Sequence, residues 1–258
     1  MQVTKENTHY ENECAVVVGA TGSFGHAIVA RLLDAGLKVV AVARSKDSLA
    51  TLCASQPRIV PCVADISVDD SIEAIRSSVS DTVRMVVHGP GVAVAGGILT
   101  APTSAVVDAV NIKVGGMLRL VRALDERLVR SSRLVAIGGH YGLEPSAYAA
   151  APGIANAAIV NLMRQLSLAL GQRGITAHVI APGPADTERL RRVAADRAKL
   201  RGVTVETILD EMLSESSIKA FATPEQVAWA VRMLLDPEAD AMTGSTLMLD
   251  AGRRKGLP

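Results

Sequence analysis

The chain lacks the features that mark several large classes of protein. Its 27 Lys and Arg residues against 26 Asp and Glu leave a formal net charge of +1 at pH 7. It therefore has no excess of positive charge with which to hold nucleic acid or an anionic membrane surface. No apolar run reaches the roughly 20 residues that a membrane-spanning helix needs. The sequence accordingly predicts no nucleic-acid partner and no membrane partner.

Cysteine is scarce, and an export signal is missing. Cys14, Cys53 and Cys62 are odd in number, lie in or beside apolar runs and lack the spacing of metal ligands. We interpret them as reduced core thiols, and the histidines show no metal-like spacing either. Residues 1–13 are polar and mixed in charge, without a basic start followed by an apolar stretch. We expect a cytoplasmic protein without a metal site, in which residues 1–13 form a flexible tail.

No polar or Pro/Gly-rich linker, internal repeat or low-complexity tract interrupts residues 14–258, so one domain is expected. Short Val/Ile-rich runs alternate with longer stretches of helical periodicity, which is typical of a parallel sheet covered by helices on both faces. The predicted fold class is α/β, a single doubly wound Rossmann-type domain with seven parallel strands. The expected strands are Ala15–Val18, Lys38–Ala43, Ile59–Val63, Met85–His88, Leu134–Ile137, Thr176–Ile180 and Thr246–Leu249. The expected helices include His26–Ala35, Ser104–Val129, Asn156–Leu170 and Pro224–Leu235.

Residues 187–219 stand apart from this alternation. They are rich in charge and helix formers, and they lie between a predicted strand and a helix that begins at Thr223 and Pro224. We predict a helical excursion that covers a bound substrate.

Glycines follow the first predicted strand and lead directly into a helix. In this position glycines let the backbone turn tightly, approach a pyrophosphate closely and direct helix N-terminal amides at it. A tight strand-to-helix turn without a ligand is the alternative. The predicted cofactor contacts of this loop are Gly19, Thr21, Gly22, Ser23, Phe24 and Gly25.

The end of the second predicted strand indicates which dinucleotide binds. An acidic residue there would bond the 2'-hydroxyl of NAD, but this chain has Arg44, followed by Ser45 and Lys46. A guanidinium can grip a 2'-phosphate with paired hydrogen bonds. Arg44 therefore favours NADP, with NAD possible, and the alternative is that Arg44 and Lys46 are solvated at a helix start.

Together these motifs resemble the short-chain dehydrogenase/reductase family from Ala15 to about Gly252. The glycine loop is spaced like the G-x-x-G-x-x-G of extended and atypical members, and Ala64-Asp65-Ile66 resembles the segment that contacts adenine. His88-Gly89-Pro90-Gly91 stands where the family usually has N-N-A-G. Residues 181–187 reproduce P-G-x-x-x-T, and residues 242–252 resemble the final strand. The resemblance implies further cofactor contacts at Asp65, Ile66, Gly89, Pro182, Gly183 and Thr187.

The same resemblance implies a catalytic serine, tyrosine and lysine that this chain does not have. In the family the tyrosine passes a proton, the serine holds the substrate oxygen, and the lysine binds the nicotinamide ribose and favours the phenolate. An ungapped reading places Gly139, Pro152 and Asn156 at these three positions. No register restores the pair, because no lysine occurs between Lys113 and Lys199.

Other side chains are candidates to replace the lost residues. Asn111 lies in the helix that resembles the one carrying the family's catalytic asparagine, and Asn156 can still bond a ribose hydroxyl. His140 and Tyr148 lie in loops that face the substrate in the family, so an imidazole or a phenol there could polarise a carbonyl. Tyr141 and His88 are weaker candidates. For each of these four aromatic side chains, the alternative is a pocket-wall or structural role.

Three functions remain open at this point. The first is an NADP-dependent oxidoreductase that acts on a carbonyl or alcohol of a small molecule with a non-standard proton donor. The second is a catalytically inactive subunit or cofactor-sensing partner that pairs with an active paralogue. The third is a non-redox isomerase, cyclase or lyase. Under each, the resemblance implies a homodimer or homotetramer, or a hetero-oligomer with the active paralogue, formed through the helices at Ser104–Val129 and Asn156–Leu170.

Overall fold

The computed structural model describes Tyr10, residues 12–54 and residues 56–256. Within them one sheet of seven strands has the order β3-β2-β1-β4-β5-β6-β7, and every neighbouring pair is parallel. The strands are β1 Glu13–Val18, β2 Lys38–Ala43, β3 Ile59–Val63, β4 Thr82–His88, β5 Leu128–Ile137, β6 Thr176–Pro182 and β7 Thr246–Leu249. The predicted α/β fold class is confirmed, and β2, β3 and β7 have the predicted bounds.

Helices cover both faces of this sheet. They are α1 Ser23–Asp34, α2 Lys46–Cys53, α3 Asp70–Ser78, α4 Thr103–Val110, α5 Gly116–Leu124, α6 Ala150–Leu170, α7 Glu188–Arg201, α8 Val205–Ser214 and α9 Pro224–Met233. Successive residues of β1 serve opposite cores, since side chains alternate along a strand. Ala15 and Val17 pack with α1 and α9, whereas Val16 and Val18 pack with α3, α5 and α6. No helix in the described part of the chain is long and apolar enough to cross a membrane.

The structure corrects the predicted helix Ser104–Val129. Helix α4 gives way to a π-helical turn at Asn111–Gly115, α5 ends at Leu124, and a short 3-10 turn at Asp125–Arg127 leads into β5. Val129 therefore lies in a strand and not in a helix. The prediction failed because no glycine or proline marks the end of α5, and the apolar spacing continues across the boundary.

Two further boundaries depend on local chemistry. Helix α6 begins at Ala150, six residues before the predicted start, and Pro152 fits in its first turn because its missing N–H has no helical partner there. Thr223 caps α9 in a reciprocal arrangement: its hydroxyl accepts from the Gln226 amide (3.2 Å), and the Gln226 side chain accepts from the Thr223 amide (3.0 Å). Glu13 begins β1, and residues 1–9 and 11 of the predicted tail lie outside the described residues.

Residues 187–219 hold α7 and α8, which share a small apolar core of their own. Thr187 caps α7, since its hydroxyl accepts a hydrogen bond from the Leu190 amide at 3.4 Å. Helix α7 thereby starts where the loop after β6 ends, beside the carboxyl edge of the sheet.

Candidate active site

Glycines shape the turn between β1 and α1. Gly19 has a φ of +82°, which L side chains rarely adopt. A Cβ atom on Gly25 would lie 2.2 Å from the carbonyl oxygen of Gly19. Among the described residues, no side chain caps the N-terminus of α1, so the first amides of this helix are left for an outside acceptor. The turn has the geometry of an anion-binding cradle.

A cavity of about 390 Å³ opens beside this cradle at the carboxyl ends of β4, β5 and β6. Open α/β sheets bind their ligands at this edge. The cavity brings together most of the predicted cofactor contacts, although they are far apart in the sequence. Those that line it are Gly19, Gly22, Ser23, Phe24, Gly25, Gly89, Asn156, Pro182, Gly183 and Thr187.

The remaining predicted contacts, Thr21, Arg44, Asp65 and Ile66, lie outside the cavity wall. The Asp65 carboxylate accepts hydrogen bonds from the amide (2.9 Å) and the hydroxyl (2.7 Å) of Ser67. These bonds, followed by the positive charge of Arg44, lower the pKa of Asp65. Arg44 is exposed and Ile66 is buried in the core. Arg44 and Asp65 therefore share the edge at the ends of β2 and β3, where only a ligand longer than the cavity would reach them.

The structure gives the lost catalytic positions a common geometry. Gly139, Pro152 and Asn156 all line the cavity. A Cβ atom on Gly139 would lie 2.7 Å from Nδ2 of Asn156, so a serine there would require Asn156 to move. The Asn156 side chain is buried, and its Oδ1 atom has no hydrogen-bond partner in the described part of the chain. A buried acceptor without a partner is costly, and it is suited to a hydroxyl of a bound ligand.

The tyrosines are arranged differently from the prediction. Tyr148 is exposed and lies outside the cavity wall, whereas Tyr141 is part of that wall. Their hydroxyls are hydrogen-bonded to each other. Arg197 stacks on the Tyr148 ring at 3.8 Å and donates to the Tyr141 hydroxyl at 3.4 Å. Burial and the bond to Tyr148 raise the pKa of Tyr141 to about 12, so this phenol stays protonated at neutral pH.

Both candidate histidines, His140 and His88, are buried and uncharged. His140 lines the cavity beside Tyr141, with ring centroids 3.9 Å apart. Burial, and then the charge of Arg253, lower the pKa of His140 to about 4. His88 lies outside the cavity wall, with Nε2 at 2.9 Å from the carbonyl oxygen of Ile112, and burial lowers its pKa to about 3. At neutral pH both rings are neutral, so each offers an N–H group but no imidazolium.

Lys113, not Asn111, faces the cavity from the π-helical turn. The Asn111 side chain donates to the carbonyl of Ser67 (2.9 Å) and accepts from Arg119 (2.9 Å), which leaves it outside the cavity wall. Lys113 lines the cavity, is 4% exposed, and donates from Nζ to the carbonyl oxygen of Ile137 at 2.6 Å. Sequence reasoning missed this residue. The available signal was that Lys113 is the one charged residue between Asp108 and Arg119.

The loop after β6 closes the opposite wall. The Gly183 amide donates to the carbonyl of Leu249 at 3.0 Å, and a Cβ atom on Gly183 would lie 2.9 Å from Asp250. The loop is thus held against β7, and it carries Thr187 to the cavity. Within the described ranges, no group of three or more His, Cys, Asp or Glu side chains is placed to hold a metal ion.

The chain is similar to known proteins over nearly its whole length. The family model described as enoyl-(acyl carrier protein) reductase matches residues 19–254. Short-chain reductase protein NovJ of Streptomyces niveus is 27% identical over 97% of both chains. An actinorhodin polyketide ketoreductase variant solved with NADPH is 25% identical over 94% of this chain and 97% of its own, with a TM-score of 0.86. The NADPH-bound short chain oxidoreductase from Pseudomonas aeruginosa PAO1, described as containing an atypical catalytic center, is 21% identical over 96% of this chain and 99% of its own, with a TM-score of 0.84. The chain therefore belongs to the short-chain dehydrogenase/reductase family of oxidoreductases.

Proposed function

We propose that this chain is an NADP-preferring oxidoreductase that interconverts a carbonyl and an alcohol on a small molecule, with a proton donor other than a tyrosine–lysine pair. The observation that carries the proposal is that the glycine cradle and the unpaired Oδ1 atom of buried Asn156 share one cavity. Cradle amides suit a pyrophosphate, and the Asn156 oxygen suits a ribose hydroxyl. The NADPH bound by the actinorhodin ketoreductase variant supports the same cofactor here.

The residues at hand fit such a cofactor along its length. Gly19 and Gly25 would leave room for the pyrophosphate, Asn156 would bond a hydroxyl of the nicotinamide ribose, and Thr187 would contact the nicotinamide, as the family resemblance implies; all four residues line the cavity. The exposed guanidinium of Arg44 supports a 2'-phosphate at the adenine end. When bound, the cofactor would supply or accept the hydride. The chain then has to position the substrate, exclude water and provide one proton.

Only some of the candidate proton donors line the cavity. Tyr148 and Asn111 lie outside the cavity wall, and Gly139 and Pro152 have no proton to give. His140, Tyr141 and Lys113 line the cavity and remain. The proposed non-standard proton donor is therefore one of these three side chains.

The test is a fluorescence titration of NADPH and NADH followed by turnover with a panel of ketones and alcohols. We expect saturable NADPH binding and an absorbance change at the nicotinamide band. Gly25→Ala should weaken binding at least tenfold, because its Cβ would meet backbone atoms at 2.2 and 2.6 Å. Gly171→Ala is the matched control, since its Cβ would meet nothing within 4 Å. Failure of the unmodified chain to bind either dinucleotide would contradict the proposal.

A second candidate is a non-catalytic subunit of an active relative. The loss of all three expected catalytic residues, at Gly139, Pro152 and Asn156, favours it. It requires NADPH binding without turnover by the chain alone, and a related chain that co-purifies with it. A homomer that turns over substrate by itself excludes it.

We also propose that the chain assembles into an oligomer through α4 and α6. Exposed apolar side chains on α4 and α6, namely Val107, Ile154 and Leu168, support a homodimer or homotetramer in which these helices meet a second copy, or a hetero-oligomer under the second candidate. Ala155 is buried within the chain and serves its own packing, whereas Ala157 is exposed.

A further inference from the structure

Lys113 is a buried ammonium group without a counter-ion. No carboxylate lies within 4.0 Å of Nζ in the part of the chain that the structure describes, and the carbonyl of Ile137 is its one hydrogen-bond partner there. Lys113 is also the only lysine among the side chains that line the cavity. Burying a lone ammonium is costly. Such a cost suggests that the charged group has a use at this place.

The charged and titratable groups around Lys113 come from several elements. His88 on β4 and Arg189 on α7 interact electrostatically with Lys113. The other titratable and charged side chains that line the same cavity are His140 and Tyr141 after β5 and Glu188, Arg192 and Arg197 on α7. His88 and His140 are neutral near pH 7, and Glu188 is exposed at the rim. Burial, and then the positive charge of Arg189, lower the pKa of Lys113 to about 7. The amine is therefore balanced between its two protonation states at neutral pH, which suits proton transfer in both directions.

The other two candidates on the cavity wall are less suited to the task. His140 has a pKa of about 4, so its cationic form is scarce at neutral pH. The Tyr141 phenol is tied to Tyr148 and Arg197, and its pKa of about 12 disfavours release of the proton. We infer that Lys113 is the proton donor to the carbonyl oxygen of the substrate, an inference that rests on the proposed function. Lys113 lies on the π-helical turn between α4 and α5, two residues after Asn111.

The step balances without a further reactant. In the direction of reduction, the NADPH of the proposed function would be the hydride donor and would be oxidised to NADP. As the hydride adds to the carbonyl carbon, the π electrons of the C=O bond move to oxygen, and that oxygen takes a proton from Nζ of Lys113. The ammonium becomes a neutral amine, which regains a proton from water before the next cycle. In the oxidative direction the neutral amine accepts the proton of the alcohol while the hydride leaves.

The test compares Lys113→Met, which keeps the length but cannot titrate, and Lys113→Arg, which keeps the charge but does not release its proton near neutral pH. We expect both to bind NADPH within threefold of the unmodified chain and to lose at least 100-fold in kcat for reduction. In the unmodified chain, kcat for reduction should fall tenfold per unit above about pH 7, and this break should be missing in both variants. Lys199→Met, an exposed position on α7, is the control.

A readout independent of turnover separates this inference from the proposed function. Nitrogen-15 NMR of labelled lysine side chains should show one amine, absent in Lys113→Met, that titrates near pH 7 and shifts when NADPH is added. Titration of Lys113 near pH 10, or turnover by Lys113→Met within threefold of the unmodified chain, would overturn the inference while the proposed function stands. Absence of NADPH binding by the unmodified chain would instead remove the proposed function. Circular dichroism melts of each variant identify loss of activity that comes from unfolding.

Discussion

Asn156 determines which side chains its neighbours can carry. Its Nδ2 atom lies 2.7 Å from where a Cβ on Gly139 would be, and its carbonyl carbon lies 2.7 Å from a Cβ on Gly142. Residue 142 must therefore be glycine while α6 keeps its position, and residue 139 must be glycine while the Asn156 side chain keeps its position. Gly139 and Asn156 are thus coupled by their contact, so the missing serine at 139 and the missing lysine at 156 have a common basis in packing. A Gly139→Ser substitution alone would displace the Asn156 side chain, so it would not restore the role of the family's serine.

Arg44 carries the residue-scale prediction about cofactor choice. Arg44→Ser removes the guanidinium at the end of β2 without disturbing the core, because the side chain is exposed. A charge-assisted, paired contact to a phosphate contributes about 1.5–3 kcal/mol. We expect the Kd for NADPH to rise about 10- to 100-fold and the Kd for NADH to change less than twofold.

Fluorescence titration with both dinucleotides checks the prediction. Arg58→Ser, another exposed arginine, is the matched control. Equal effects of Arg44→Ser on the two cofactors would remove the argument for NADP.

At the scale of elements, the glycine turn was predictable and the π-helical turn was not. Gly19 and Gly25 reveal their role in the sequence because only glycine fits the positive φ at Gly19 and the close backbone approach at Gly25. Asn111 and Lys113 are two residues apart, so they project about 200° apart around a helix. Which of them faces the cavity depends on the rotation that the π-helical turn introduces. Nothing in the local residue types fixes that rotation, and the prediction of Asn111 rested on the family resemblance alone.

The same limit applies to the loops after β5. The sequence placed His140 and Tyr148 near the substrate, but it could not show that Tyr148 would pair with Tyr141 and stack under Arg197. Arg197 comes from α7, far along the chain, and its approach depends on how residues 187–219 fold back. Contacts of this kind follow from tertiary packing and have no local signal.

Arg133 links three elements at the end of the sheet away from the cavity, and it carries the element-scale prediction. Its guanidinium is buried and donates to the carbonyl of Leu234 (2.6 Å) and the hydroxyl of Thr176 (3.3 Å), and it lies 2.6 Å from Asp240. Arg133→Met keeps much of the volume but removes the donor to the Leu234 carbonyl and the ion pair with Asp240. We expect the free energy of unfolding to fall by about 2–4 kcal/mol.

Urea denaturation measures that loss. Arg191→Met, which breaks the exposed ion pair with Asp186, should change the free energy of unfolding by less than about 1 kcal/mol. Similar losses for the two variants would show that burial adds nothing to the Arg133 contacts.

At the scale of the whole molecule, the parallel sheet decides where the site lies. All seven strands end at one edge, and the chain crosses from one side of β1 to the other between β3 and β4. The loops after β1, β4, β5 and β6 therefore meet around one cavity. This much was predictable, because the strand pattern implies a doubly wound sheet and the doubly wound sheet implies the position of the site.

The same compact fold buries three histidines, and this leads to a prediction about acid stability. Burial lowers the pKa to about 3 for His88 and to about 4 for His140 and His178, whereas an unfolded histidine titrates near pH 6.5. As pH falls from about 6.5 toward 4, the unfolded chain binds protons that the folded chain does not, so stability falls. We expect the free energy of unfolding at pH 5 to be lower than at pH 7.5 by about 6 kcal/mol, which is about 2 kcal/mol for each of the three histidines.

Guanidinium denaturation at the two pH values checks this, and His178→Gln provides the internal comparison. His178 is fully buried and lies outside the cavity wall, with Nε2 at 2.9 Å from the Thr176 hydroxyl. His178→Gln should reduce the difference in the free energy of unfolding between pH 5 and pH 7.5 by about a third, because His178 is one of three similar buried histidines. Lys113→Met should also reduce the pH dependence of the free energy of unfolding, but at higher pH. The pKa of Lys113 is lower in the folded chain than in the unfolded one, and this difference lowers stability below about pH 10. A free energy of unfolding that is equal at pH 5 and pH 7.5 would mean that these buried imidazoles take up protons as readily in the folded chain as in the unfolded one.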